Sequence, residues 1–115
     1  MAPNLLHKNI NYIDILAKAK PAHRKAILNT ADNELILCLC ECVLNILNGN
    51  VPIKPQEIQK LSKFKTHLRK LAAEKTSKND RRKILVQKGG FLPVLLAPIL
   101  GIAGQLLADT LINKR

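Results

Sequence analysis

Residues 35–47 read Leu-Ile-Leu-Cys-Leu-Cys-Glu-Cys-Val-Leu-Asn-Ile-Leu, and Glu41 is the one charge among them. Wound into a helix, these apolar side chains fall on nearly every face, so the helix must be covered on several sides by other elements. It is too short to cross a bilayer, which takes about 20 apolar residues. It is therefore expected at the centre of a helical bundle. The composition agrees: Leu, Ile and Ala dominate, and the aromatics are Tyr12, Phe64 and Phe91. That mix favours helix over strand. A chain of 115 residues suits one compact domain.

Proline and glycine divide the remainder. Residues 9–20 carry Tyr12, Ile13, Leu16 and Ala19 at three- and four-residue steps, the spacing of a first helix. Pro21 ends it and sits well at the first position of a short second helix reaching residue 28. Asp32 is the expected N-cap of the central helix, with Glu34 in its first turn, and Asn48-Gly49-Asn50 closes it. After the stiff connector at 51–55, Pro55 opens a fourth helix. Ile58, Leu61, Leu68, Leu71 and Ala72 form its inward stripe, and Lys60, Lys63, His67 and Lys70 line another face. Thr76 and Ser77 interrupt it, and Ser77-Lys78-Asn79-Asp80 resembles a capping box for a fifth helix to Gln87.

Gly89-Gly90 breaks that pattern, and residues 91–104 carry no charge. Pro93 suits a first helical turn, and Pro98 is expected to kink the helix at the next turn. The expected fold is all-α: a small bundle of about four to five helices plus an apolar C-terminal helical segment. Its parts are a helical domain at 1–88, a hinge or cleavage point at 89–90, and an apolar segment at 91–115 for docking on protein or membrane. Phe91, Leu92, Val94, Leu95, Leu96, Ile99 and Leu100 are the docking residues.

The net charge of +11 is concentrated. Residues 54–88 hold twelve basic side chains against three acidic, whereas 1–53 and 89–115 each contribute a net +1. Such a field attracts polyanions, nucleic acid first and anionic membrane second. The candidate phosphate contacts are Lys60, Lys63, Lys65, Arg69, Lys70, Lys75, Lys78, Arg81, Arg82, Lys83 and Lys88. Only Phe64 interrupts the region, so backbone contacts to double-stranded DNA without sequence preference are expected rather than base stacking.

Chemistry of other kinds finds no support in the sequence. Cys38 and Cys42 share a helix face and Cys40 points away, which leaves no second ligand pair for zinc. Buried free thiols are expected, with no metal and no cofactor. His7, His23 and His67 are scattered, and no acidic residue forms a motif with a histidine or a nucleophile. Gly89-Gly90 lacks the spacing and the Lys-Ser/Thr pair of a phosphate-binding loop. A chain that binds rather than catalyses is the expectation. Lys8, Asp14, Lys18 and Lys20 interrupt the first twenty residues, so no signal peptide is read there. Met-Ala-Pro lacks the glycine needed for myristoylation. An intracellular, reducing compartment is expected.

Arg81-Arg82-Lys83, then Gly89-Gly90, then Phe91-Leu92-Pro93-Val94-Leu95-Leu96 resembles the adenovirus late core protein X family, precursors of the mu peptide. Relatives of that family occur in adintoviruses and Maverick/Polinton elements. The resemblance covers residues 80–112, about a third of the chain. It implies a DNA-condensing virion protein found in the virion and the host nucleus. It also implies cutting after Gly90, before Phe91, by a viral cysteine protease. For the apolar tail itself, a membrane or a capsid protein is the expected partner. Gln87 stands where the family's site prefers an aliphatic residue, and the patterned helical domain at 9–75 has no counterpart in the family. Alternatives are a membrane-active protein, whose tail inserts while the basic helix holds anionic lipid, and a helical module that contacts an acidic protein.

Overall fold

A computed structural model describes the backbone of residues 3–113 and the side chains of residues 5–102. The described residues are all-α, as expected, with seven helical segments and one 3-10 turn. These are α1 (Pro3–Lys18), α2 (Pro21–Thr30), α3 (Asn33–Leu47), α4 (Pro55–Ser62), α5 (Lys65–Ala72), α6 (Lys78–Lys88), the 3-10 turn (Gly89–Phe91) and α7 (Leu92–Asn113).

Local chemistry sets most boundaries. The Asp32 carboxylate accepts from the Leu35 N–H at 2.8 Å and starts α3. The Ser77 hydroxyl accepts from the Asp80 N–H at 3.1 Å and starts α6. Pro21 and Pro55 open α2 and α4, where a missing N–H costs nothing. At the end of α3, Gly49 takes φ +73°. The Gly49 N–H reaches Ile46 O and the Asn50 N–H reaches Asn45 O. This pair of bonds is a Schellman closure, and it needs the left-handed residue that glycine supplies.

Two boundaries differ from the sequence expectation. α1 begins at Pro3 rather than near residue 9, and its buried stripe is Leu6, Asn9, Ile13 and Leu16. Tyr12 is 53% exposed. Asn9 is tolerated inside because its amide donates to Leu5 O at 2.9 Å. The expected fourth helix is split at Lys63 and Phe64 into α4 and α5. At that break the half-buried Phe64 ring meets Phe91, with centroids 5.5 Å apart and a 56° tilt.

α3 packs against α1, α5, α6 and α7, so it is the central helix. Leu35, Ile36, Leu39, Val43 and all three cysteines are buried on it. One stripe stays open all the same: Leu37 is 44%, Leu44 40% and Leu47 41% exposed. Around α3, α1 lies along α7, α2 against α6, α4 against α7, and α5 against α6.

The apolar C-terminal segment is not a separate appendage over its described part. Phe91, Leu92, Leu95, Leu96 and Ile99 belong to the same core cluster as the leucines of α1, α3 and α5. The physical reason is amphipathic matching: α1 offers an apolar stripe that α7 covers. The side chains of residues 103–115, the rest of the expected segment, lie outside the described residues. The run Lys78–Ile102 is long and apolar enough to cross a membrane by length and composition, a test that a core helix also passes.

Candidate nucleic-acid interface

The basic segment forms α4, α5 and α6 with their connections. Each helix turns its leucines inward, and that fixes where the cations point. On α5, Leu68 and Leu71 are buried and Arg69 and Lys70 occupy the opposite, exposed arc, while Lys65, also exposed, flanks Leu68 one turn earlier. On α6, Leu85 is buried and Lys83 and Lys88 face solvent. Lys60 and Lys63 are exposed at the end of α4, Lys75 in the α5–α6 connection, and Lys78 at the start of α6. Because α5 packs on α6, their charges lie on adjoining helices.

These cations keep their charge free. Among the described residues the ion pairs are Lys8–Glu34 at 3.0 Å and Lys18–Asp14 at 2.9 Å, and neither uses a residue of 54–88. Glu57, one of the segment's three acids, accepts from the Lys54 backbone N–H at 3.1 Å. Asp80 lies in the first turn of α6, where the helix dipole favours an anion.

Arg81 and Arg82, expected among the phosphate contacts, are placed differently. They precede Leu85 by four and three residues and are drawn to the inner flank of α6, half-buried. Arg82 Nη1 donates to Leu28 O at 2.7 Å, in the last turn of α2. Arg81 Nη2 donates to Ala73 O at 2.8 Å, at the C-cap of α5. The carbonyls that end a helix lack partners inside it, and a guanidinium answers both their hydrogen bonding and their partial negative charge. The two arginines therefore tie α6 to the ends of α2 and α5. The freely exposed set becomes Lys60, Lys63, Lys65, Arg69, Lys70, Lys75, Lys78, Lys83 and Lys88.

α2 contributes cations that the concentration of charge in 54–88 hides. Lys25 on α2 and Lys20 at its N-cap are exposed, and α2 packs against α6. Arg24 is buried, with its Nε 3.7 Å from where a Cβ on Gly89 would stand. The cluster Lys18, Lys20, Arg24, Lys25 is the sequence signal for this extension.

The junction at Gly89, Gly90 and Phe91 is helical rather than open. Gly89 has φ −74° and ψ 10°, and both Gly89 and Phe91 are buried. Neither glycine has positive φ, so the backbone freedom that a hinge would use is not exercised. Of the expected docking residues, Phe91, Leu92, Leu95, Leu96 and Ile99 are enclosed in the core, and Val94 and Leu100 are half-buried. This arrangement offers no extended substrate at Gly90 and little free apolar surface on this stretch of α7.

Cys38, Cys40 and Cys42 are free and buried on α3. Cys38 and Cys42 share a hydrogen bond one turn apart, as their spacing requires. That bond, with burial, pushes the Cys42 thiol well up. Burial pushes Cys40 up to about 11. Cys40 and Cys42, held protonated in this way, are poor nucleophiles, whereas the hydrogen bond with Cys42 pulls the Cys38 thiol down. Comparisons with protein-family models, with curated proteins and with solved structures gave no match.

Proposed function

We propose that this protein binds double-stranded DNA without sequence preference through the exposed cations of α4, α5 and α6, as a core or minor virion protein that accompanies a packaged genome. The observation that carries the reading is the uncompensated charge. Nine exposed Lys and Arg side chains lie on α4, α5, α6 and their connections, with α5 packed on α6, and no ion pair among the described residues involves them. Released counterions then supply the affinity. Lys dominates the set, which favours phosphate contacts over reading of base edges. The likeness of residues 80–112 to the adenoviral core family supports the virion setting. Cutting after Gly90 would require the junction to open first, because proteases take extended segments.

The test is anisotropy of a labelled 20-base-pair duplex titrated with the full chain, using two unrelated sequences. Equal affinity for both is expected. Reversing Lys65, Arg69 and Lys70 to Glu is expected to lower it at least tenfold, with an unchanged thermal midpoint. An unchanged affinity in that triple variant would refute the interface. A second reading, membrane insertion of the C-terminal segment, is supported by the length and hydropathy of Lys78–Ile102. It requires Phe91 and its neighbours to leave the core. Leakage of anionic vesicles at concentrations where the fold persists would favour it.

A further inference from the structure

The C-terminal end of α3, the connector before α4, and the inner faces of α4 and α5 enclose an open cavity of about 400 Å³. Its floor is aliphatic: Ile46, Val51, Leu61 and Leu68, all buried. Its rim holds Leu47, 41% exposed, and Ile58, 55% exposed. Exposed aliphatic side chains around a concave aliphatic floor are what remains when a site awaits an apolar occupant. The one charged side chain in the lining is Lys65, and no acidic residue shares the cavity. Across residues 54–72 the only acid is Glu57 against six basic residues, and that carboxylate already accepts the Lys54 N–H.

We infer that this cavity binds an aliphatic chain ending in a single carboxylate, with the chain on the Ile46–Leu68 floor and the carboxylate on the Lys65 ammonium. Charge decides the sign of the head group: a cationic or zwitterionic head would meet Lys65 in a field already positive. Size decides the class. The volume falls at the lower end of small-molecule sites, whereas a partner helix needs a longer groove with anchors over at least two turns. Because Lys65 also belongs to the proposed DNA surface, occupant and DNA would compete at one residue of nine. The cavity is otherwise independent of DNA binding, since its floor is apolar.

The experiment is calorimetric titration of the full chain with monomeric dodecanoate, with methyl NMR of Ile46 on the floor and Ile58 on the rim read in parallel. Saturable one-to-one binding that shifts these methyls is expected. Dodecyltrimethylammonium, with the same chain and opposite charge, should bind at least tenfold more weakly. Lys65→Glu and Ile58→Glu, both at exposed positions, should each weaken dodecanoate at least tenfold, with thermal midpoints unchanged. Lys83→Glu, on the outer face of α6, should leave it unchanged. The inference is overturned by no saturable binding, by equal binding of the two probes, or by equal losses in Lys65→Glu and Lys83→Glu. It is also overturned if an acidic peptide with a leucine anchor binds here and dodecanoate does not, which would make the cavity a protein-docking site. DNA affinity is measured on the same variants, so failure of the cavity and failure of the DNA surface are read separately.

Discussion

Phe91→Ala tests whether the apolar segment is part of the fold. The ring is 1% exposed in a core cluster drawn from all parts of the chain, and it meets Phe64 at 5.5 Å. Removing a buried phenylalanine side chain costs about 3–5 kcal/mol. The tilted pair with Phe64 accounts for about 0.5–1.5 kcal/mol of that. A domain this small has a total stability of about 5–15 kcal/mol, so the loss is a large share. With an m-value of about 1–2 kcal/mol per molar, the urea midpoint should fall by about 1.5–5 M. Circular dichroism during urea unfolding measures it. The cycle with Phe64→Ala should return a coupling of about 1 kcal/mol. A loss under about 1 kcal/mol for Phe91→Ala would mean that residue 91 begins a detached segment, and the packing of α7 into the core would be wrong.

Gly89→Ala and Gly90→Ala should each stabilise by about 0.4–1 kcal/mol, since neither position has positive φ and the nearest atoms to the new methyls are 3.5 and 4.0 Å away; a loss above about 1 kcal/mol in thermal unfolding would restore a hinge there. Arg82→Met should cost about 1–2 kcal/mol by leaving Leu28 O unpaired, whereas Lys83→Met on the exposed face should cost under about 0.5 kcal/mol; equal costs would reject the capping role. Cys40 is raised from an ordinary value of 9.0 to about 11, so the unfolded chain releases its proton first. Its contribution to stability is complete below pH 9 and is lost as pH rises towards 11. The fall in thermal midpoint over that range should be smaller in Cys40→Ala, and an equal fall would contradict it.

Where a boundary depends on neighbours within four residues, the sequence makes it legible. Asp32, Ser77, Pro21, Pro55 and Gly49 each act locally, and each starts or ends a helix as its chemistry requires. The centrality of α3 was legible because an all-round apolar helix has few alternatives. The placement of residues 91–102 was not. Gly89-Gly90 and the loss of charge after it mark a change in composition, and composition cannot tell a detached segment from a helix that completes the core. The match between α7 and the stripe of α1 is long-range. The same holds for Arg81 and Arg82: their charge is visible in sequence, but the carbonyls of Leu28 and Ala73 that hold them are fixed only by packing. The split at Phe64 coincides with a ring contact 27 residues distant in the chain. The open stripe Leu37–Leu44–Leu47 is the reverse case, apolar residues that the bundle leaves uncovered.

Free positive charge arranged for phosphates is the centre of the proposed function, and the salt dependence of DNA binding measures it directly. Affinity of the full chain for a 20-base-pair duplex is followed from low to physiological salt. Contact of about six of the nine exposed cations gives a log–log slope of about −5. Lys65→Met and Lys70→Met should each make the slope shallower by about 1, and Arg82→Met should change it less. A wild-type slope near zero would contradict the proposal that this protein holds DNA by its phosphates.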